Sequence, residues 1–171
     1  MQQDKAYIAY LAGLSRLGDR AAFEKLVRHF GPRLFAHAYR LLGHKEEACD
    51  VVQEAWVEII RGLPKLREDN AFLAWAYRIT SRRAARQIDQ NIKARALADE
   101  VVQPEAPPEP PSGVQAAIAR LKPTHAATIR LFYLEEMSLR EVAIAMDVPE
   151  GTVKSRLSSA RKQLKPHLER K

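Results

Sequence analysis

Residues 138–164 read SLREVAIAMDVPEGTVKSRLSSARKQL, and their spacing decides the fold of the C-terminal third. Ser138 with Glu141 three residues on is a capping box, which satisfies the free amides at a helix start from both directions. Leu139, Val142, Ala143 and Met146 then fall at i, i+3, i+4 and i+7, an apolar stripe barely two turns long. Asp147-Val148-Pro149 interrupts it, and Gly151-Thr152 leads into a second helix with Val153, Leu157, Ala160 and Leu164 on one face. Two short helices around a tight turn, with small Ala143 where they approach, form a helix-turn-helix. Off its apolar face the second helix carries Lys154, Arg156, Arg161, Lys162 and Lys165, with Thr152, Ser155 and Ser158 adding hydroxyls. Such a helix suits a DNA major groove, its first residues reading base edges and its cations holding phosphates. From Lys154 to the end only Glu169 is acidic, against seven basic residues, which disfavours a purely structural helix-turn-helix.

Upstream, Val114, Ile118 and Leu121 space a short helix, and Pro123 opens another through Ala126, Ile129, Phe132 and Tyr133. Before these lies ADEVVQPEAPPEPPSG, residues 98–113, which holds five of the ten prolines and four acidic but no basic residues. Proline removes amide donors and fixes φ, so the segment is expected to be an extended linker rather than helix. It reads either as a solvated spacer or as a strand that mimics nucleic-acid charge inside a partner's channel.

The N-terminal portion shows helical periodicity and no strand signals. Ile8, Leu11 and Leu14 space an opening helix; Gly18 marks a turn; Asp19 caps a segment through Phe23, Leu26 and Phe30. Gly31-Pro32 is expected to kink or break that helix before Leu34, Phe35, Ala38 and Leu41 continue it. A further helix, about residues 45–63, puts Ala48, Val52, Ala55, Trp56, Ile59 and Leu63 on one face and Glu47, Asp50, Glu54 and Glu58 on the other. By periodicity alone the acidic stripe is a solvated face or a docking surface for a basic partner. After a loop, Asn70 is expected to cap a long helix in which Phe72, Trp75 and Ile79 face inward while Arg78, Arg82 and Arg86 recur every four residues beside Arg83. Trp75 and Tyr77 read as core, or as rings on which unpaired bases stack while the arginines track the backbone.

Bulk charge agrees with a polyanionic partner: 28 Lys and Arg against 21 Asp and Glu leave a formal +7 over 171 residues. Cys49 stands alone, and the five histidines lack metal-ligand spacing, so neither a disulfide, a metal nor a cofactor is expected. No phosphate-cradling glycine loop or nucleophile–base pairing is present, which argues against an enzyme. No apolar run approaches the ~20 residues that cross a bilayer, and MQQDKAYIAY lacks signal-peptide order, so no membrane insertion and a cytoplasmic location are expected.

LREVAIAMDVPEGTVKSRLSSARKQL resembles the region-4 domain of bacterial RNA polymerase sigma factors, and EEACDVVQEAWVEII followed by FLAWAYRIT resembles their region-2 domain. From about Ile8 to Leu164 the chain is similar to the extracytoplasmic-function (ECF) group of the sigma-70 family. The resemblance implies an all-α protein of two small helical domains, region 2 over residues 1–97 and region 4 over 114–171, joined by the proline-rich acidic linker. It implies core RNA polymerase, through its beta-prime clamp and beta flap, promoter DNA and an anti-sigma factor as partners. Asp50, Gln53, Glu54 and Arg61 match the clamp-docking helix; Asn70, Trp75, Tyr77, Arg78, Arg82, Arg83 and Arg86 fall on the element that opens and captures the -10 motif. Glu150, Thr152, Lys154, Ser155, Arg156, Ser158 and Arg161 fall on the helix that reads the -35 duplex. Three departures stand out: Cys49 replaces a usual carboxylate, Thr80-Ser81-Arg82-Arg83 lacks a usual asparagine, and Asp147 stands at a turn position usually glycine. A linker of roughly 15 residues extends about 45–50 Å, comparable with the ~58 Å of about 17 base pairs. The competing reading is a free-standing regulator that binds duplex DNA through its helix-turn-helix and dimerises through the N-terminal bundle.

Overall fold

Gly18 turns the chain at φ +96°, and Asp19 accepts a hydrogen bond from the Ala22 amide at 2.9 Å, so the second helix starts where its cap demands. The computed structural model describes residues 2–98 and 113–168. The expected linker therefore lies almost wholly outside the described residues. Helices α1 (Gln2–Arg16), α2 (Arg20–Leu42), α3 (Lys45–Gly62) and α4 (Phe72–Ala98) form an N-terminal bundle. Helices α5 (Val114–Ala119), α6 (Pro123–Tyr133), α7 (Leu139–Met146) and α8 (Glu150–Leu168) form a smaller C-terminal one. Among the described residues there is no strand, and no helix is long and apolar enough to cross a membrane.

Proline 32 does not break α2, contrary to expectation: the helix runs on through it. The missing amide bond is offset by packing, since Leu26, Phe30, Leu34 and Ala38 form one buried stripe of the helix. Phe30 is the hub, edge-on to Trp56, Phe72 and Tyr77. A second correction concerns Asn70. It lies inside a 3-10 turn, Asp69–Ala71, and α4 begins only at Phe72. The turn is held instead by Asp69, which accepts from Arg16 at 3.0 Å. The acidic face of α3 and the basic face of α4 meet: Arg83 bonds Glu54 and Glu58, and the Asn91 amide donates to Glu47.

In the C-terminal bundle the capping box forms as expected, with both the Ser138 and the Glu141 side chains engaged. Asp147 ends α7 at φ +53°, the left-handed region that aspartate enters more readily than most residues. Val148 and Pro149 then deliver the chain into α8, whose Val153, Leu157, Ala160 and Leu164 are buried as the spacing requires.

The two bundles pack on each other, with α7 laid along α4 and α6 against α2. Within the apolar packing of this seam lies a buried polar contact. Ser81 donates to the Ala145 carbonyl at 2.7 Å and contacts His37 Nε2 at 2.8 Å. Around it, Arg78 bonds Asp147 at 2.9 Å, Arg82 approaches the same carboxylate at 3.9 Å, and Arg33 reaches Glu135 at 3.3 Å. Lys5 donates to the Glu136 carbonyl at 2.6 Å.

Candidate nucleic-acid interface

Helix α8 presents a polar, cationic face because its apolar positions are consumed by the core. Lys154, Ser155, Ser158 and Arg161 are exposed, and Glu150 opens the helix as an exposed side chain. Thr152 and Arg156 are half-buried. Burial lowers the Arg156 pKa, and Ser155 donates to the Thr152 carbonyl at 2.9 Å, which orients its lone pairs outward. Arg161 is held differently from its neighbours: its Nε donates to the Tyr133 hydroxyl at 2.8 Å and its guanidinium stacks over that ring. It thus borders an apolar groove of about 660 Å³ between α5, α6 and α8, lined by Ile118, Ile129, Tyr133, Leu134 and Leu164.

On α4 the arginines diverge. Arg86 is exposed, whereas Arg78 and Arg82, also exposed at the helix surface, face Asp147 across the seam. Arg83 leaves the expected phosphate stripe altogether, because Glu54 and Glu58 of α3 lie within reach on the adjoining helix. Trp75 is half-buried, its ring edge-on to Phe72 and close enough to Gly62 that a Cβ there would sit 2.8 Å from the indole. Tyr77 is a correction. It is 2% exposed and packed on Phe30 and His37, so no base can stack on it in this arrangement. Burial, reinforced by Glu135, pushes its pKa well up, and it stays a neutral phenol.

Asp50, Gln53, Glu54 and Arg61 share the exposed side of α3. Between them lie Val57 and Ile60, 43% and 51% exposed. An apolar centre with a charged rim is the anatomy of a protein-binding patch. The sequence reading missed these two; the available signal was a pair of large aliphatics off the buried face. It also missed Ser81 and His37 as seam residues. His37 is fully buried, and burial first, then Arg40, holds its pKa at about 3, so the ring is uncharged.

Comparison with known proteins follows this division of the chain. Residues 26–93 match the Sigma-70 region 2 family and residues 113–164 match the Sigma-70 region 4 family. The chain is similar to the ECF RNA polymerase sigma factor SigE of Mycolicibacterium smegmatis, at 30% identity over 88% of this chain and 64% of that one. It therefore spans about two thirds of that relative's length. It is equally similar, at 30% identity, to the RNA polymerase sigma-H factor of Pseudomonas aeruginosa, over 86% of each chain. In structure it resembles the sigma factor RpoE of Bartonella quintana, solved in complex with the anti-sigma factor NepR, with a TM-score of 0.72 over 86% of this chain and 97% of that one, at 21% identity.

Proposed function

The chain belongs to the extracytoplasmic-function sigma factors of the sigma-70 family, and from this we propose that it docks on core RNA polymerase and directs initiation at promoters with -10 and -35 elements. The observation that carries the reading is the pairing of a region-2 bundle with a region-4 helix-turn-helix whose second helix keeps its hydroxyl and cationic face outward. A free-standing regulator is not favoured, because the N-terminal bundle matches region 2 and carries the exposed patch of Asp50, Gln53, Glu54, Arg61, Val57 and Ile60.

In this reading the α3 patch meets the beta-prime clamp, and the apolar groove of the C-terminal bundle takes an apolar segment of the beta flap. Thr152, Lys154, Ser155, Arg156 and Ser158, following Glu150, address the -35 duplex, and Arg161 adds a phosphate contact from its seat on Tyr133. Asn70, Trp75, Arg78, Arg82 and Arg86 address the opened -10 strand. The residues 1–97 and 114–171 are the two functional units, and residues 98–113 span them. The protein carries no reaction of its own and works in the cytoplasm, where polymerase and promoter meet. An anti-sigma factor is the remaining partner.

The contacts of Arg78 and Arg82 with Asp147 give this reading a condition: two arginines of the -10 face are paired with the turn of the helix-turn-helix, and these pairs must part before both arginines engage promoter DNA. The test is in vitro transcription with sigma-free core polymerase on a genomic promoter library, read by sequencing transcript starts. New starts that share spaced -10 and -35 motifs are expected. Direct duplex binding by the free chain with no new starts would overturn the sigma reading.

A further inference from the structure

Where α2 faces α6, the two bundles enclose a cavity of about 250 Å³. Its polar lining is Arg33, His37 and Arg40 from α2, Tyr77 from α4, and Arg130 and Glu135 from the C-terminal bundle. Arg33 is fully engaged, bonding Asp4 and reaching Glu135. Glu135, the one carboxylate of the lining, is bonded by Arg33 at 3.3 Å. Arg130 donates one Nη to Gln115 Oε1 at 2.6 Å, but its Nε is buried without a hydrogen-bond partner among the described residues. Arg40 is half-buried, and Glu135 acts on it only from a distance; burial and then the neighbouring Arg130 lower its pKa to about 10.

Two guanidinium groups from different bundles thus share one space in which the single anion is already committed. Removing such like charges from water is costly unless an anion joins them. A planar guanidinium fork matches phosphate oxygens in particular. We propose that this cavity is a binding site for a small phosphate-class oxyanion, held jointly by Arg40 of the N-terminal bundle and Arg130 of the C-terminal bundle. Its volume suits inorganic phosphate or diphosphate, being below the ~300–1,000 Å³ of sites for larger ligands. Because the two arginines belong to different bundles, the anion also latches the seam across which Arg78 and Arg82 face Asp147. The binding claim goes beyond the promoter-recognition reading and does not depend on it.

The experiment is isothermal titration of the full chain with inorganic diphosphate, then with inorganic phosphate, at low ionic strength. Wild type, Arg40→Gln, Arg130→Gln and, as a surface control, exposed Arg28→Gln are compared. A single saturable site is expected, weakened roughly tenfold or more in each of the two cavity variants and unchanged in Arg28→Gln. A stronger response to diphosphate than to phosphate assigns the ligand a second phosphoryl group; an equal response assigns a single one. Hydrogen exchange on the wild type gives an independent reading: diphosphate should slow exchange within residues 33–40 and 130–137. No saturable binding, or equal weakening by Arg28→Gln, overturns the site. So does saturable binding that leaves exchange in both segments unaltered.

Discussion

Asp147 combines two jobs that a substitution can separate. Its backbone sits at φ +53°, and its carboxylate holds Arg78 and approaches Arg82. Asp147→Gly keeps the left-handed turn at no steric cost but removes both ion pairs. Each exposed pair contributes about 0.2–1 kcal/mol, so the free variant should bind a single-stranded -10 oligonucleotide severalfold more tightly than wild type, with helicity unchanged. Fluorescence anisotropy reads this directly, and an unchanged affinity would remove Asp147 from the covering of the -10 face. His37 supplies a different handle. Its folded pKa of about 3 lies below the ordinary histidine value of 6.5, so the unfolded chain binds more protons between those limits. Stability is therefore retained above pH 6.5 and lost as pH falls toward 3, by at most about 1.4 kcal/mol per pH unit from this one group. Asp4, whose pKa is lowered through its bonds to His29 and Arg33 against the opposing effect of burial, adds loss only below its ordinary value of 3.8. Urea midpoints measured between pH 7 and 4.5 should fall steeply for wild type and more shallowly for His37→Gln.

At the scale of elements, α3 divides its charge between two neighbours. Glu54 and Glu58 hold Arg83 of α4, while Asp50 and Gln53 remain exposed beside Val57 and Ile60. Asp50→Lys should leave the thermal midpoint nearly unchanged, as exposed substitutions do, yet weaken binding to core polymerase roughly tenfold through the on-rate. Arg83→Ala should do the reverse: a loss of about 0.5–1 kcal/mol of stability, discounted for the exposure of Glu54, with Asp50, Gln53, Val57 and Ile60 of the docking patch untouched. Titration of labelled polymerase alongside calorimetry separates the two. The elements themselves were legible because their signals are local: the Ser138–Glu141 box, the Asp19 cap and the stripes of α3 and α8 each lie within a few turns of chain. Proline 32 misled because its local penalty is small against the buried stripe from Leu26 to Ala38. Arg83 and Tyr77 misled for another reason. Helical periodicity says which residues share a face, but not which neighbouring helix that face meets. Contacts such as Ser81 with Ala145, 64 residues apart, leave no local trace beyond a small hydroxyl among the arginines of α4.

For the whole molecule, the closed arrangement pairs Arg78 and Arg82 across the seam, which the proposed function sets against -10 reading, while leaving the cationic face of α8 in solvent. The seam carries polar and ionic contacts beside apolar ones, and polar interfaces open more readily than apolar ones of equal size. On the proposed function, binding energy from polymerase on α3 and the C-terminal groove would be the agent of opening, since a partner shifts an equilibrium only by its preference for one state. Holding the seam shut should then abolish function without touching any proposed contact residue. Lys5 and Glu136 mark its outer edge, where the Lys5 ammonium donates to the Glu136 carbonyl, and neither belongs to the DNA-reading or clamp-docking faces. With Cys49, exposed and free, changed to Ser, the pair Lys5→Cys and Glu136→Cys can be bridged by a short bis-maleimide. The unbridged double variant should support transcription from core polymerase at the wild-type level, and the bridged form should bind a labelled -10 strand at least tenfold more weakly and yield few or no starts. Either single-cysteine variant treated with the same reagent should remain active. Full activity of the bridged protein would mean that the seam does not have to part, and that promoter opening proceeds from the closed arrangement.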